Sequence, residues 1–439
     1  MADQQARSAP DQPVTTYRLI RFFAPLAATS MMMMSSHSLI SGGLTRTSQP
    51  EVSIAAYALA TSIWFIVDSP MVNVRQMILA LAWGPRSFRA VAMVTNGLVI
   101  ISLAIGLLLS YTPVGPWVLR TLLGAPENLV APAVSALRVL MFLSIVSSRR
   151  SLYQSLLMLK DRTGIFPLTM VIRLGLMVLF VAASLRYDLV RGAALGGATL
   201  LLGVGTEGLL AQVYGKRVVR DQPLRAGGAA DNVSLWQAMV FFFPLIGAAL
   251  VGGFLRPALN SGMARSFDAT VALSAFAVAT SLSWMVISPT QNLHQLTMIW
   301  LPRPGGRARV FRFVLVFSLV FTLVIAVLGF TPVGPWLLLG PIGLERSLLA
   351  PTILVVRIQA LIPLVLSWSE YFSGILLINR QTSAITVGKL VNLAVVLAGV
   401  ALFHGARLPS GTALGALLQV LGIAGEVLFL YAVVRRAGQ

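Results

Sequence analysis

The sequence predicts an all-α polytopic membrane protein of twelve transmembrane helices, arranged as two parallel six-helix repeats. Three observations carry that prediction. The composition is 57% hydrophobic with only 11% charged residues, whereas a soluble domain carries roughly 25% charged residues. Its apolar runs are long enough to cross a bilayer, which takes about 20 helical residues. The chain also repeats itself. Thr112-Pro113-Val114-Gly115-Pro116-Trp117 returns as Thr331-Pro332-Val333-Gly334-Pro335-Trp336, an offset of 219 residues. The same offset joins Pro25 to Pro244, Ser69-Pro70 to Ser288-Pro289, Asn73 to Asn292, Gln76 to Gln295, Arg138 to Arg357, Gly192 to Gly411 and Glu207 to Glu426. Two long apolar copies of one unit are the plan of a secondary transporter.

Each span follows from a break in that apolar pattern. The first repeat reads as helices near 18–43, 51–79, 88–110, 132–157, 165–185 and 191–214. The second reads near 236–262, 270–298, 309–330, 351–377, 384–404 and 410–434. Proline, glycine and charged residues mark the gaps. Residues 1–16 read as a disordered cytoplasmic tail, because they are polar and lack the apolar core of a signal peptide. The six-helix lobes are expected over 17–215 and 234–439, joined by a cytoplasmic linker, 216–233, that contains Pro223 and Gly227-Gly228.

Charge sets the expected orientation. The net charge is +19, from 30 Arg and 3 Lys against 14 acids. One set of connections holds Arg86, Arg89, Lys160, Arg162, Lys216, Arg217, Arg220, Arg225, Arg303, Arg307, Arg309, Arg312, Arg380, Arg435 and Arg436. The opposite set holds Arg46, Arg120, Arg186, Arg191, Arg265, Arg346 and Arg407. The heavier set marks the cytoplasmic side and puts both termini there. Six spans per unit is an even number, so the repeats enter the membrane in the same sense. The two Thr-Pro-Val-Gly-Pro-Trp segments then lie outside, as rigid turns capping the third and ninth helices.

Several chemistries are not expected. There is no cysteine, hence no disulfide or thiolate metal site. His37, His294 and His404 show no metal-ligand spacing, and no metal or cofactor is implied. No phosphate-binding P-loop or selectivity-filter loop is present. The arginines lie at the ends of apolar segments rather than on a soluble basic patch, which argues against nucleic acid. The chain is not expected to be an enzyme.

Ionisable residues inside membrane spans are costly, which makes each a functional candidate. Arg138 and Arg357 fall in spans four and ten, with Arg149 and Arg150 deeper in span four. Arg256 lies in span seven, followed by Pro257 and, one turn on, Asn260; its repeat mate is His37. These arginines outnumber the nearby acids Asp68 and Glu370, and guanidinium groups stay charged and suit carboxylate or phosphate. An anionic substrate is therefore expected on Arg256, Asn260, Arg138, Arg357, Arg149 and Arg150, with His37 or Asp68 coupling a proton. Glu207, Glu426, Arg75, Arg173, Lys389 and His294 read as structural pairs or snorkelling side chains. Prolines inside spans, among them Pro25, Pro70, Pro244, Pro257, Pro289 and Pro363, suit bent helices that rock.

Two parallel sixes fit both the major facilitator fold and the multidrug/oligosaccharidyl-lipid/polysaccharide (MOP) flippase superfamily, to which the MATE transporters belong. The Gly-x-x-x-Asp-Arg loop of the major facilitators is absent; the loop here reads Trp83-Gly84-Pro85-Arg86-Ser87-Phe88-Arg89. Leu19 to Leu26, Arg256-Pro257-Ala258-Leu259-Asn260, Ala350-Pro351 through Arg357 and Pro363, and Gly425-Glu426 resemble the progressive ankylosis protein family, a branch of that superfamily. The resemblance implies a MATE-like fold and export or exchange of anions such as pyrophosphate, nucleotides and citrate by alternating access. It also implies that His37, Asp68, Arg138, Arg149, Arg150, Arg256, Asn260 and Arg357 share one central volume. The rival readings are a flippase for an anionic lipid-linked oligosaccharide and a cation-coupled multidrug exporter. Alanine-, arginine- and leucine-rich usage points to a bacterial inner membrane, and an internally duplicated transporter needs no partner chain.

Overall fold

A computed structural model of the chain describes residues 14–82, 84–123, 125–221, 233–264, 266, 269–340, 342, 344–405 and 411–436. The expected tail up to residue 13, Trp83, the linker residues Pro223, Arg225 and Gly227-Gly228, and Arg265 and Arg407 lie outside the described residues.

The first repeat comprises α1 (Thr16–Leu44), α2 (Pro50–Leu81), α3 (Pro85–Tyr111), the short α4 (Val114–Trp117), α5 (Glu127–Leu140), α6 (Leu143–Leu159), α7 (Phe166–Tyr187) and α8 (Ala193–Asp221). The second comprises α9 (Leu235–Ala264), α10 (Ala269–Ile287), α11 (Leu293–Trp300), α12 (Gly306–Phe330), α13 (Val333–Leu339), α14 (Arg346–Gln359), α15 (Ile362–Ile378), α16 (Thr382–Gly405) and α17 (Gly411–Arg436). Helices dominate because each satisfies its own backbone groups without water. Among the described residues, eleven spans, some built from two of these helices, are long and apolar enough to cross a membrane. The remaining one, α1, matches them in length but is more polar, carrying Ser35, Ser36, His37, Ser38 and Ser41. All twelve expected spans are thus helical, and the protein is an integral membrane protein. Helix α8 continues past Lys216 to Asp221, into the stretch read as linker.

The described residues form two compact units: 24–242, and 243–439 with the stretch of α1 up to Phe23. The division falls inside α1 and inside α9. Phe22 and Phe23 pack in the second unit, edge-on to Trp300 and to Phe313 and Phe317 at 6.0, 5.5 and 5.1 Å. Among the described residues, a large apolar core stands in each unit. In the first it gathers Trp64, Leu137, Leu140, Met177 and Leu200; in the second, Phe276, Ile287, Val356, Ile362 and Val396. Small residues let the helices close up: a Cβ on Gly208 of α8 would come within 3.0 Å of the Val146 carbonyl of α6.

The 219-residue repeat holds at the backbone. Spans four and ten both break at the same register, between Leu140 and Leu143 and between Gln359 and Ile362. Both end on a left-handed residue, Asp161 (φ 56°) and its mate Arg380 (φ 58°). The next amide closes the helix in each case, Arg162 N to Leu157 O and Gln381 N to Leu376 O, both at 2.8 Å. Such a left-handed stop satisfies otherwise unpaired terminal carbonyls. The repeats differ in span two against span eight. Pro70 sits inside the continuous α2, whereas Ser288–Asn292, with Pro289, is a 3-10 turn between α10 and α11.

The Thr-Pro-Val-Gly-Pro-Trp segments form the expected caps. Thr112 Oγ1 donates to Leu108 O at 2.6 Å and accepts from Val114 N at 3.3 Å. Thr331 Oγ1 repeats this, donating to Val327 O at 2.6 Å and accepting from Val333 N at 3.4 Å. The chain then folds back so tightly that a Cβ on Gly115 or Gly334 would lie 1.8 or 1.9 Å from the carbonyl oxygen of Leu109 or Leu328. Backbone cannot move aside as a side chain can. Gly115→Ala and Gly334→Ala are each expected to destabilise the protein by about 1–3 kcal/mol, the usual cost of overpacking. A thermal unfolding midpoint in detergent that stays unchanged for both would contradict the close approach.

Candidate functional site

Two buried carboxylates organise the polar interior, one per repeat, and they are repeat mates. Glu207 of α8 accepts from Arg173 Nη1 of α7 at 2.8 Å, from Arg150 Nη1 of α6 at 3.2 Å and from Gln154 Nε2 at 2.6 Å. Gln154 in turn accepts from Arg75 Nη2 of α2 at 2.7 Å. Glu426 of α17 accepts from Asn392 Nδ2 at 2.8 Å, Ser369 Oγ at 2.8 Å and Lys389 Nζ at 2.7 Å. Asn392 stands at the repeat position of Arg173, and Ser369 at that of Arg150. The same two positions therefore hold the carboxylate in both repeats. In the first they supply guanidinium charge; in the second they supply only neutral donors, and the cation comes from Lys389, whose mate is Met170. The reading of Glu207, Glu426, Arg173 and Lys389 as structural pairs agrees with these contacts.

Two further polar clusters flank these. Asp68 of α2 is buried and accepts from Ser144 and Ser147 of α6 at 2.7 and 3.3 Å, with Ser151 on the Met71 carbonyl at 3.4 Å. Ser144, Ser147 and Ser151 recur at three- and four-residue spacing and so share one helix face. In the second unit His294 Nδ1 of α11 meets Glu370 Oε2 of α15 at 2.5 Å. His294 is the mate of Arg75, and Glu370 of Ser151. The titratable side chains His294, Glu370 and Lys389 thus fill positions that in the first repeat carry Arg75, Ser151 and Met170. The sequence marks His294 as the mate of Arg75 and as a structural pair without naming its partner; that the partner is Glu370 depends on the packing of span ten against span eight.

The residues expected to bind substrate fall into three groups. Arg150 is committed to Glu207. Arg138 Nε donates to the Ser110 carbonyl at 3.3 Å and Arg357 Nε to the Gly329 carbonyl at 2.8 Å, with each guanidinium 5.2 Å from a ring centre, Tyr111 or Phe330. Arg149, Arg256 and Asn260 are exposed and make no hydrogen bond or ion pair among the described residues. Of the proton-coupling candidates, Asp68 has its serines, and His37 is exposed with its ring edge-on to Phe65 at 6.5 Å. Within the first unit lie His37, Asp68, Arg138, Arg149 and Arg150; within the second lie Arg256, Asn260 and Arg357. Among the described residues no hydrogen bond or ion pair joins any two of these eight, and no cluster of His, Asp and Glu could hold a metal ion.

No family model matches the chain, and no curated protein does. Solved structures do. A MOP superfamily transporter from Pyrococcus furiosus, described as having a binding pocket of reversed polarity that suggests a different function, aligns with a TM-score of 0.74. It is 14% identical over 96% of each chain. A variant of the Vibrio cholerae MATE transporter VcmN aligns at 0.73, 15% identical over 99% of this chain and 98% of its own. The eukaryotic MATE transporter AtDTX14 aligns at 0.71, 12% identical over 99% and 96%. The likeness spans whole chains, so the twelve-helix fold of the MATE and MOP transporters is the fold of this protein.

Proposed function

We propose that the protein is a secondary transporter of small organic or phosphate-containing anions, such as citrate-like carboxylates, pyrophosphate and nucleotides, working by alternating access. One observation carries this reading. The in-span carboxylates are already engaged, Asp68 by serines, Glu207 by arginines, Glu370 by His294 and Glu426 by Lys389, while Arg149 and Arg256 have no carboxylate partner among the described residues. A guanidinium cannot shed its charge, and a lone charge inside a span is costly. A mobile anion answers both. A cationic drug would instead need free carboxylates. The progressive ankylosis-like Arg256-Pro257-Ala258-Leu259-Asn260 element supports the same substrate class, with Arg256 and Arg149 taking charge and Asn260 orienting it. The His294–Glu370 pair, with Nδ1 2.5 Å from the carboxylate, joins His37 and Asp68 as a place for the coupling proton. A bacterial inner membrane, cytoplasmic termini and a functional monomer complete the proposal.

The test is uptake of labelled citrate and pyrophosphate into proteoliposomes, with and without imposed proton and electrical gradients. Saturable uptake that responds to a proton gradient is the expected result. Folded protein that moves neither anion under any gradient overturns the reading and favours a flippase for an anionic lipid-linked oligosaccharide.

A further inference from the structure

Arg138 and Arg357 are built alike, and the way they are built points away from the membrane interior. Each projects from a helix that follows a cap, α5 or α14, yet its Nε reaches the carbonyl of the next-to-last residue of α3 or α12, Ser110 or Gly329. The guanidinium is thereby drawn to the end of the neighbouring span, α3 or α12. It lies against the last residue of that span, Tyr111 or Phe330, 5.2 Å from the ring centre in both repeats. Tyr111 and Phe330 are 62% and 66% exposed. A few residues on, the caps expose Trp117 and Trp336. Exposed aromatic rings at span ends are the signature of the membrane interface.

The Nε bond and the ring fix the plane of each guanidinium and leave both terminal nitrogens without a partner among the described residues. The position is fitted closely in the second repeat, where a Cβ on Gly329 would come within 3.0 Å of Arg357 Cγ. Among the described residues no carboxylate pairs with either cation, and Glu127, at the start of α5, is taken by Arg120 at 2.8 and 2.5 Å. A planar fork with two free N–H edges matches a phosphate. Phosphate beside exposed tryptophan and tyrosine, at span-end depth, is the chemistry of a phospholipid, which brings acyl chains to cover the rings.

We propose that Arg138 and Arg357 are twin lipid clamps, each holding the phosphodiester of a membrane phospholipid at the span-end surface. The proposal does not rest on the transport reading and assigns these two arginines away from substrate binding.

Native mass spectrometry of the full chain, equilibrated with phosphatidylglycerol, tests it. The wild-type chain is expected to retain one tightly held lipid per clamp. Arg138→Gln and Arg357→Gln should each lose one, and the double variant both, with roughly tenfold weaker binding for each lost charge-assisted contact. Arg138→Lys keeps the charge but not the planar fork, and should also weaken retention. Arg120→Gln, at the same surface, should not. Equal lipid loss in Arg120→Gln would mean general surface charge, and full retention in the double variant would mean no clamp; either overturns the proposal. Displacement of the lipid by soluble glycerol phosphate overturns it too, by showing a site for free anions. If the double variant fails to fold, Tyr111→Leu with Phe330→Leu removes the platforms instead, and unchanged retention there has the same meaning.

Discussion

Glu207→Gln is expected to be the most destabilising single substitution in the polar interior, by about 3 kcal/mol, because breaking a buried ion pair strands the remaining charge. The amide keeps the shape and can still meet Gln154. It removes the carboxylate that Arg150 and Arg173 share. Arg173 is 2% exposed and cannot turn to water, and a guanidinium cannot release its proton. Glu426→Gln provides the internal comparison. There the carboxylate is equally buried and held at the same two repeat positions, but the stranded cation is the partly exposed Lys389 amine, which can become neutral. Its cost should therefore be about half as large, since neutralisation replaces an uncompensated buried charge. Unfolding midpoints of the two variants in one detergent decide the matter. Equal losses, or a larger one for Glu426→Gln, would show that the permanence of the guanidinium charge does not set the cost.

Arg256→Ala is expected to weaken anion uptake strongly while leaving the fold intact. Arg256 is exposed and has no ion pair among the described residues, so its loss strands no partner. On the proposed function it carries substrate charge. Losing one charge-assisted contact should raise the half-saturating anion concentration roughly ten- to hundredfold. Arg256→Lys should lie between, because the amine keeps the charge and loses the two-pronged geometry. Asn260 lies four residues on, on the same helix face, so Asn260→Ala should weaken uptake less, through orientation alone. Uptake in Arg256→Ala with unchanged half-saturation would take this residue out of the site. A lower unfolding midpoint in that variant would instead reveal a structural role.

Much of this molecule was legible without its structure. Apolar length and the breaks between runs placed most span ends to within about three residues, because a helix in lipid must satisfy its own backbone and so runs from one polar break to the next. Spans four and ten begin five residues earlier, and span six ends seven residues later, than expected. The 219-residue offset predicted equivalence between halves, and the backbone carries it down to the left-handed stops at Asp161 and Arg380. The caps after spans three and nine were also readable, since proline and glycine act through local geometry.

The polar interior was not readable to the same depth. From the sequence, Arg138, Arg149, Arg150, Arg256 and Arg357 form one excess of positive charge. In the structure Arg150 is tied to Glu207, Arg138 and Arg357 are stretched to span ends, and Arg149 and Arg256 have no such tie among the described residues. A guanidinium sits at the tip of a long flexible side chain, so its depth is set by which neighbour it can reach rather than by the position of its Cα. The pairing of His294 with Glu370 likewise needed the packing of α11 against α15. The sequence by itself determined the solvent, the number of spans and the duplication, because these depend on hydropathy and local backbone chemistry. Only the tertiary structure decided which charges are spent within the fold, because that depends on contacts between residues far apart in the chain.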